Sequence, residues 1–266
     1  MADILVPFDH SENAFIALQQ SLLLAQKNGA KVEVFHVINL MVTTDYPMAW
    51  TEADEQAIKE SIETKVDSAK KLQSIEDVDV SIVIQKGVRV VDEVLLRADE
   101  SEIIFIVMGT HGVTGLIDKV LGTNSLDVIS NSKWPVLLIP PHWKPIEIKE
   151  LVIAADLNEF ISQTDSAQQL ESFFKIPARA IQLTNIIDTI EKKEKDINGI
   201  PFKYVPTNIE LTLAENLRNY TRDLKNSILV MYTHPRKFFE KLLGVSFTEE
   251  TAKVIEIPLL SIRKSK

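Results

Sequence analysis

What this sequence lacks already narrows the classes of protein it can belong to. None of its 266 residues is a cysteine, which excludes disulfides, thiolate metal ligands and a cysteine nucleophile. Its net charge is −9, whereas a surface for nucleic acid or anionic lipid needs clustered positive charge. Its start, MADILVPFD, has no basic secretory segment, and no apolar run approaches the roughly 18 residues of a membrane span. We therefore expect a cytoplasmic protein that binds neither nucleic acid nor membrane.

Glycine is also scarce, with eight in the chain, and four of the eight lie at 109–122, directly after an apolar strand pattern at 103–108. Three of these, Gly109, Gly112 and Gly122, are separated by two and then nine residues, and Thr123 comes next as the start of a predicted helix. Backbone N–H groups in such a loop, together with the free N–H groups of a helix start, can approach an anion closely. The stretch predicts a phosphate-binding loop. The alternative is that these glycines only form tight turns.

The spacing of these glycines differs from the common phosphate-binding motifs. There is no G-x-x-x-x-G-K-[ST], and the glycines follow G-x-x-G instead of G-x-G-x-x-G. The pattern, preceded by VMG and followed by PVLLIP, resembles the ATP-binding signature of the universal stress protein family. The resemblance implies that the chain holds an adenine nucleotide: ATP, ADP or AMP.

The chain contains two copies of one pattern of strands and helices. Three segments of the first half recur in the second: ILVPFD as LVIAAD, FIVMGTHG as ILVMYTHP, and PVLLI as PLLSI. Met231 follows Met108 by 123 residues (231 − 108), whereas Asp156 follows Asp9 by 147 (156 − 9), so the second copy is shorter by about 24. The charged run EKKEKD at 191–196 is interpreted as a solvated loop or helix end. The repeat predicts two tandem α/β domains, at 1–141 and 149–266.

The resemblance covers both copies and implies a flavodoxin- or Rossmann-like fold for each domain. This fold is a five-stranded, mainly parallel sheet of order 3-2-1-4-5, flanked by helices. In open α/β sheets the ligand lies beyond the carboxyl ends of the strands where the order reverses, which here means Asp9 and Gly109. The resemblance implies an adenosine set and a phosphate set: Pro7, Phe8, Asp9 and Val37 for the first, and Gly109, Gly112, Gly122, Thr123 and Asn124 for the second. Alternatively, Asp9 only caps the helix that follows Ser11.

The second copy has lost the glycines of the first. Tyr232 stands where the first copy has Gly109, and Pro235 stands where it has Gly112. Tyrosine adds bulk where a ligand would approach the backbone, and proline has no N–H to donate. We therefore expect the first domain to bind nucleotide and the second not to.

No set of residues in the sequence predicts catalysis or a resident metal. A nucleophile elbow, a carboxylate pair or an arginine finger cannot be placed near the glycine loop, and the histidine spacing does not suit zinc. A bound nucleotide would bring Mg²⁺ through its own oxygens. We expect an ATP-binding regulatory protein of the stress response. The alternatives are a slow Mg-dependent ATPase or phosphotransferase and a nucleotide-free assembly scaffold.

The closing strand of each copy also suggests how the domains assemble. Each begins with a proline, which is compatible with an edge strand, and edge strands can pair with a second copy. We expect the two domains to pair within the chain through these strands, and two chains to be able to form a homodimer.

Overall fold

A computed structural model of the protein describes residues 3–40, 51–110, 123–185, 194–233 and 256–263. The chain divides into two compact units. The described residues of Met1–Thr110 and Gly122–Pro145 form the first unit, and those of Ile146–Lys266 belong to the second. Both units are α/β, as predicted. Among the residues that the structure describes, no helix is long and apolar enough to cross a membrane.

The first unit is built on a five-stranded parallel sheet. Its strands are β1 (Asp3–Pro7), β2 (Lys31–Asn39), β3 (Val80–Gly87), β4 (Ile103–Gly109) and β5 (Val136–Ile139). Their pairings give the order β3-β2-β1-β4-β5, which confirms the predicted order 3-2-1-4-5. The central strand β1 buries Ile4, Leu5 and Val6 completely, because helices cover both faces of a parallel sheet.

Local sequence signals determine where the helices of the first unit begin and end. The four helices are α1 (Glu12–Asn28), α2 (Glu52–Gln73), α3 (Val90–Glu100) and α4 (Thr123–Asn131). The Oγ of Ser11 accepts a hydrogen bond from the Ala14 N–H at the start of α1, and Gly29 ends this helix at a φ of 70°, which suits glycine. A capping box between Thr51 and Asp54 begins α2.

The second unit repeats this order and adds one strand. Its strands are β6 (Glu150–Ala154), β7 (Ala178–Thr184), β8 (Lys195–Ile197), β9 (Ile200–Pro206), β10 (Ser227–Thr233) and β11 (Leu259–Arg263). Their order is β11-β10-β6-β7-β9-β8, and β8 is antiparallel to β9. The described helices are α5 (Leu157–Ser162), α6 (Thr164–Phe174) and α7 (Leu213–Thr221).

The added strand lies where the second copy is shorter. Fifteen residues (185–199) separate β7 from β9, whereas forty (40–79) separate β2 from β3, so the shorter connection cannot hold a helix of 22 residues like α2. Asn198 and Gly199 instead turn the chain at φ angles of 53° and 88°, as a tight hairpin requires. Lys195 and Asp196, expected in a loop or helix end, therefore belong to a strand.

Both units place an ion pair on the second strand of the sheet, with the sign of the charge on that strand exchanged. In the first unit the Glu33 carboxylate accepts two hydrogen bonds from Arg97, at 2.7 and 2.6 Å. In the second unit Arg179 stands 146 residues after Glu33 (179 − 33), and its guanidinium lies 2.7 Å from the carboxylate of Glu150. Arg179 also donates to the Tyr220 hydroxyl at 2.8 Å. Glu33 is buried and Arg97 pairs its charge, as an apolar interior requires. Arg179 and Glu150 are half-buried.

Replacing Arg97 with alanine would leave Glu33, which is 4% exposed, without its partner. We expect the free energy of unfolding to fall by about 3 kcal/mol, because breaking a buried ion pair leaves an uncompensated charge. Urea denaturation of the full chain measures this loss. As the control, the double variant Glu33→Leu, Arg97→Met removes both charges and recovers most of it. A loss within experimental error for Arg97→Ala would contradict the interpretation.

Candidate functional site

The carboxyl ends of β1 and β4 lie level with each other on neighbouring strands. Leu5 of β1 pairs with Ile106 of β4, so Asp9 and Gly109 stand four and three residues further along the two strands. The connection from β1 leads to β2 on one side, whereas β4 lies on the other. This is the reversal of strand order at which open α/β sheets bind ligands. The structure therefore brings these two predicted residues to the expected edge.

The turn after β1 presents the Asp9 carboxylate outside the helix. Its Oδ1 accepts a hydrogen bond from the Ser11 N–H at 3.0 Å, and the side chain is exposed. The N-cap of α1 is Ser11, not Asp9. The capping alternative for Asp9 is therefore correct only in part, since Asp9 supports the turn through one oxygen and stays accessible to a ligand.

Three apolar residues at the same edge are buried or half-buried: Pro7, Phe8 and Val37. The Phe8 side chain is 3% exposed, its N–H donates to the Phe35 carbonyl oxygen at 2.8 Å, and its own carbonyl oxygen lies 2.7 Å from Nδ1 of His36. Pro7 pairs with Phe35, and the half-buried Val37 stands two residues beyond that pair. Phe8 therefore contributes a buried wall to this edge.

Two histidines complete the edge, and the sequence did not predict them as a pair. The His10 ring lies in edge-to-face contact with Phe8 at 5.3 Å and with His36 at 5.1 Å between ring centroids. His10 has a φ of 64°, a conformation that is uncommon for residues other than glycine. Burial lowers the pKa of His10, and the neighbouring His36 lowers it further. The two histidines lie in the segments PFDHS and FHV, directly after the end of β1 and within β2, and this position was the signal in the sequence that could have indicated the pair.

Gly109 is required by close packing at the end of β4. A Cβ at this position would lie 2.3 Å from the carbonyl oxygen of Asn13, in the first turn of α1. On the other side, the Ser125 hydroxyl of α4 donates to the Gly109 carbonyl oxygen at 3.2 Å. Gly109 therefore allows the first turns of α1 and α4 to approach the end of β4.

Tyr232 occupies the position of Gly109 in the second unit. Gly109 pairs with Ile139 and Tyr232 with Ile262, and both partners are the fourth residue after the proline that precedes the closing strand. The Tyr232 side chain is 1% exposed, and its hydroxyl donates to the Gln163 carbonyl oxygen at 3.4 Å.

Burial raises the pKa of Tyr232 to about 12. Gln163 lies at the break between α5 and α6, so a broken helix accommodates the ring where α1 of the first unit is continuous.

The predicted phosphate set is only partly within the described residues. Gly112 and Gly122 lie outside them. The predicted helix start is found at Thr123, and Asn124 is exposed in the first turn, where backbone N–H groups have no partner within the helix. Among the described residues, no group of three histidine, cysteine, aspartate or glutamate side chains could hold a metal ion.

The fold is that of a doubly wound α/β protein, and in its first unit the strand order reverses between β1 and β4. A sequence model of the Universal stress protein family matches residues 1–140, and the chain therefore belongs to the universal stress protein family.

Two curated relatives each match half of the chain. A universal stress protein of Methanocaldococcus jannaschii is 28% identical over 138 residues, covering 51% of this chain and 80% of that protein. One from Synechocystis is 32% identical over 151 residues, covering 51% and 96%. A solved universal stress protein from Archaeoglobus fulgidus covers 99% of this chain and 98% of its own, with a TM-score of 0.68 at 17% identity, so the fold is shared over both units.

Replacing Gly109 with alanine should destabilise the chain through a backbone clash. The new Cβ meets the helix backbone at Asn13, which cannot swing aside, and we expect a loss of about 2 kcal/mol in the free energy of unfolding. Gly29→Ala is the control, because Gly29 has a φ of 70° but no atom within 4 Å of an added Cβ. It should cost about 1 kcal/mol. Urea denaturation compares them, and a smaller loss for Gly109→Ala would refute the packing argument.

His10 should make the stability of the chain depend on pH. Its pKa is lower in the folded chain than the ordinary value of 6.5, so the unfolded chain takes up the proton first as the pH falls. The free energy of unfolding should therefore decrease on acidification below about pH 6.5, with no effect at higher pH. His10→Asn keeps a residue that tolerates positive φ and removes the titration. Chemical denaturation at pH 7.5 and 5.5 should show a smaller decrease in this variant than in wild type.

Proposed function

We propose that the first unit binds an adenine nucleotide, ATP or its ADP and AMP forms, and that occupancy regulates a cytoplasmic stress-response protein. The observation that carries this proposal is the placement of Asp9 and Gly109 at one edge of the sheet, in a chain of the universal stress protein family. An exposed carboxylate at one strand end and a glycine at the next are suited to the sugar and the phosphates of one ligand.

The nucleoside would lie against the ends of β1 and β2. Asp9 is the acceptor for ribose hydroxyl groups, because its carboxylate is exposed and fixed by the Ser11 N–H. Charged acceptors form the stronger hydrogen bonds. The Val37 backbone would contact the adenine edge, and Pro7 with the buried Phe8 forms the apolar wall. This assignment gives the adenosine set one charged contact and several apolar ones, as in most small-molecule sites.

The phosphates would lie beyond β4. The Thr110 N–H already donates to the Ile139 carbonyl oxygen at 2.9 Å, so the anion must be held by N–H groups further along the chain. Gly112 and Gly122 in the loop, with Thr123 and Asn124 at the start of α4, are the proposed donors. Mg²⁺ would arrive on the phosphate oxygens, because within the described ranges no group of three histidine, cysteine, aspartate or glutamate side chains could hold it.

The second unit, in our proposal, holds no nucleotide. Tyr232 fills the end of β10, and Asp156 is the N-cap of α5, accepting from the Glu159 N–H at 2.8 Å. We assign the binding domain to residues 1–141 and the degenerate domain to 149–266. From the sequence alone, we propose that the two domains pair through their closing strands and that two chains can form a homodimer. Light scattering on the purified protein would measure how many chains each particle contains.

The test compares equivalent aspartates in the two units. Asp9→Asn keeps an oxygen for the Ser11 N–H but removes the charge, and should weaken ATP and AMP binding about tenfold, as expected for losing a charged hydrogen bond. Asp156→Asn should leave the affinity unchanged. Isothermal titration calorimetry measures both.

Equal effects of the two variants would contradict a single site. A wild type that binds no adenine nucleotide at millimolar concentration would favour the scaffold instead. Phosphate release from ATP with Mg²⁺ over hours would support the ATPase alternative.

A further inference from the structure

We propose that His36 is a positioning residue of the ligand site, which holds the turn after β1 so that the Asp9 carboxylate faces the ligand instead of capping a helix. The idea of a ligand at this turn rests on the function proposed above. The positioning itself rests on contacts of the described residues and on a comparison between the two units.

The first contact fixes which ring nitrogen of His36 donates. The Phe8 carbonyl oxygen can only accept, so Nδ1 of His36, 2.7 Å away, must donate. The neutral ring is therefore the Nδ1–H tautomer. This bond joins β2 to the residue immediately before Asp9, and the Phe8 N–H is joined to the same strand at Phe35. Both backbone groups of Phe8 are thus anchored on β2.

The second contact supports a strained residue. His10 adopts a φ of 64°, a left-handed conformation that is unfavourable for a residue other than glycine. Its ring packs against Phe8 and His36, and these contacts offset the cost. The left-handed residue delays the start of the helix, so that Ser11 becomes the N-cap. Losing the His36 ring would remove one bond and one of the two packing surfaces of His10.

In the second unit the equivalent aspartate caps a helix. Gln182 stands 146 residues after His36 (182 − 36), and Leu157 stands 147 after His10 (157 − 10). The Gln182 Oε1 accepts from the Leu157 N–H at 2.9 Å, so the second strand here holds the residue after the aspartate. The helix then begins at once, with Asp156 as its cap. Where the second strand carries His36, the aspartate lies outside the helix, and where it carries Gln182, the aspartate caps the helix.

The experiment uses the full chain with His36→Leu, His36→Asn and the matched control Gln182→Leu in the second unit. His36→Leu should weaken AMP and ATP binding about tenfold, because Asp9 loses its fixed position. Asparagine places an N–H at the same δ position, so His36→Asn should recover most of the affinity. Gln182→Leu loses a comparable bond and should bind as wild type does.

A second measurement separates positioning from nucleotide binding. Without ligand, ¹⁵N NMR should show His36 as the Nδ1–H tautomer, and the Ser11 amide should exchange slowly in wild type and rapidly in His36→Leu. If the NMR results hold but wild type binds no nucleotide, the proposed function fails and the positioning role stands. The positioning role is overturned if His36 is the Nε2–H tautomer, if His36→Leu binds as tightly as wild type, or if His36→Asn does not recover affinity.

Discussion

The close approach of the first turn of α1 to Gly109 is the constraint on which the first unit depends. With no Cβ at the end of β4, the carbonyl of Asn13 can pack directly against the strand, and the turn from Asp9 to Ser11 is brought level with it. The second unit meets the same requirement differently, because its helix breaks at Gln163 and receives the ring of Tyr232. Equivalent strand positions thus hold a glycine that allows close helix packing in one unit and a buried tyrosine ring in the other.

The sequence predicted most of the architecture because strong local signals agree with the tertiary fold. The strand at 103–108 and the helix start at Thr123 are as expected, since an apolar run marks the strand and the glycine loop precedes the helix. The hairpin of β8 and β9 was missed. The charged run before it suggested a loop, although Asn198 and Gly199 form the typical pair for a tight hairpin. A polar edge strand has little hydrophobic pattern to show, because it buries little.

The site was predictable only where it depends on strand ends. Asp9 and Gly109 follow apolar strands, so the sheet order alone brings them together. The pair of His10 and His36 depends on a left-handed residue and on contacts between side chains of separate elements, which no periodicity reveals. The burial of the Tyr232 ring likewise depends on a helix break that follows from packing. Side chains that join elements were therefore the part that the sequence could not specify.

The exchanged charges of the two ion pairs bear on how a tandem repeat folds correctly. Similar neighbouring domains can exchange elements during folding and become trapped in mixed structures. Here the second strand of one copy carries Glu33 and that of the other Arg179. If α3 packed on the wrong sheet, Arg97 would lie next to Arg179, and the buried Glu33 would lose its partner. The pair of Glu33 and Arg97 thus favours the packing of α3 on its own sheet.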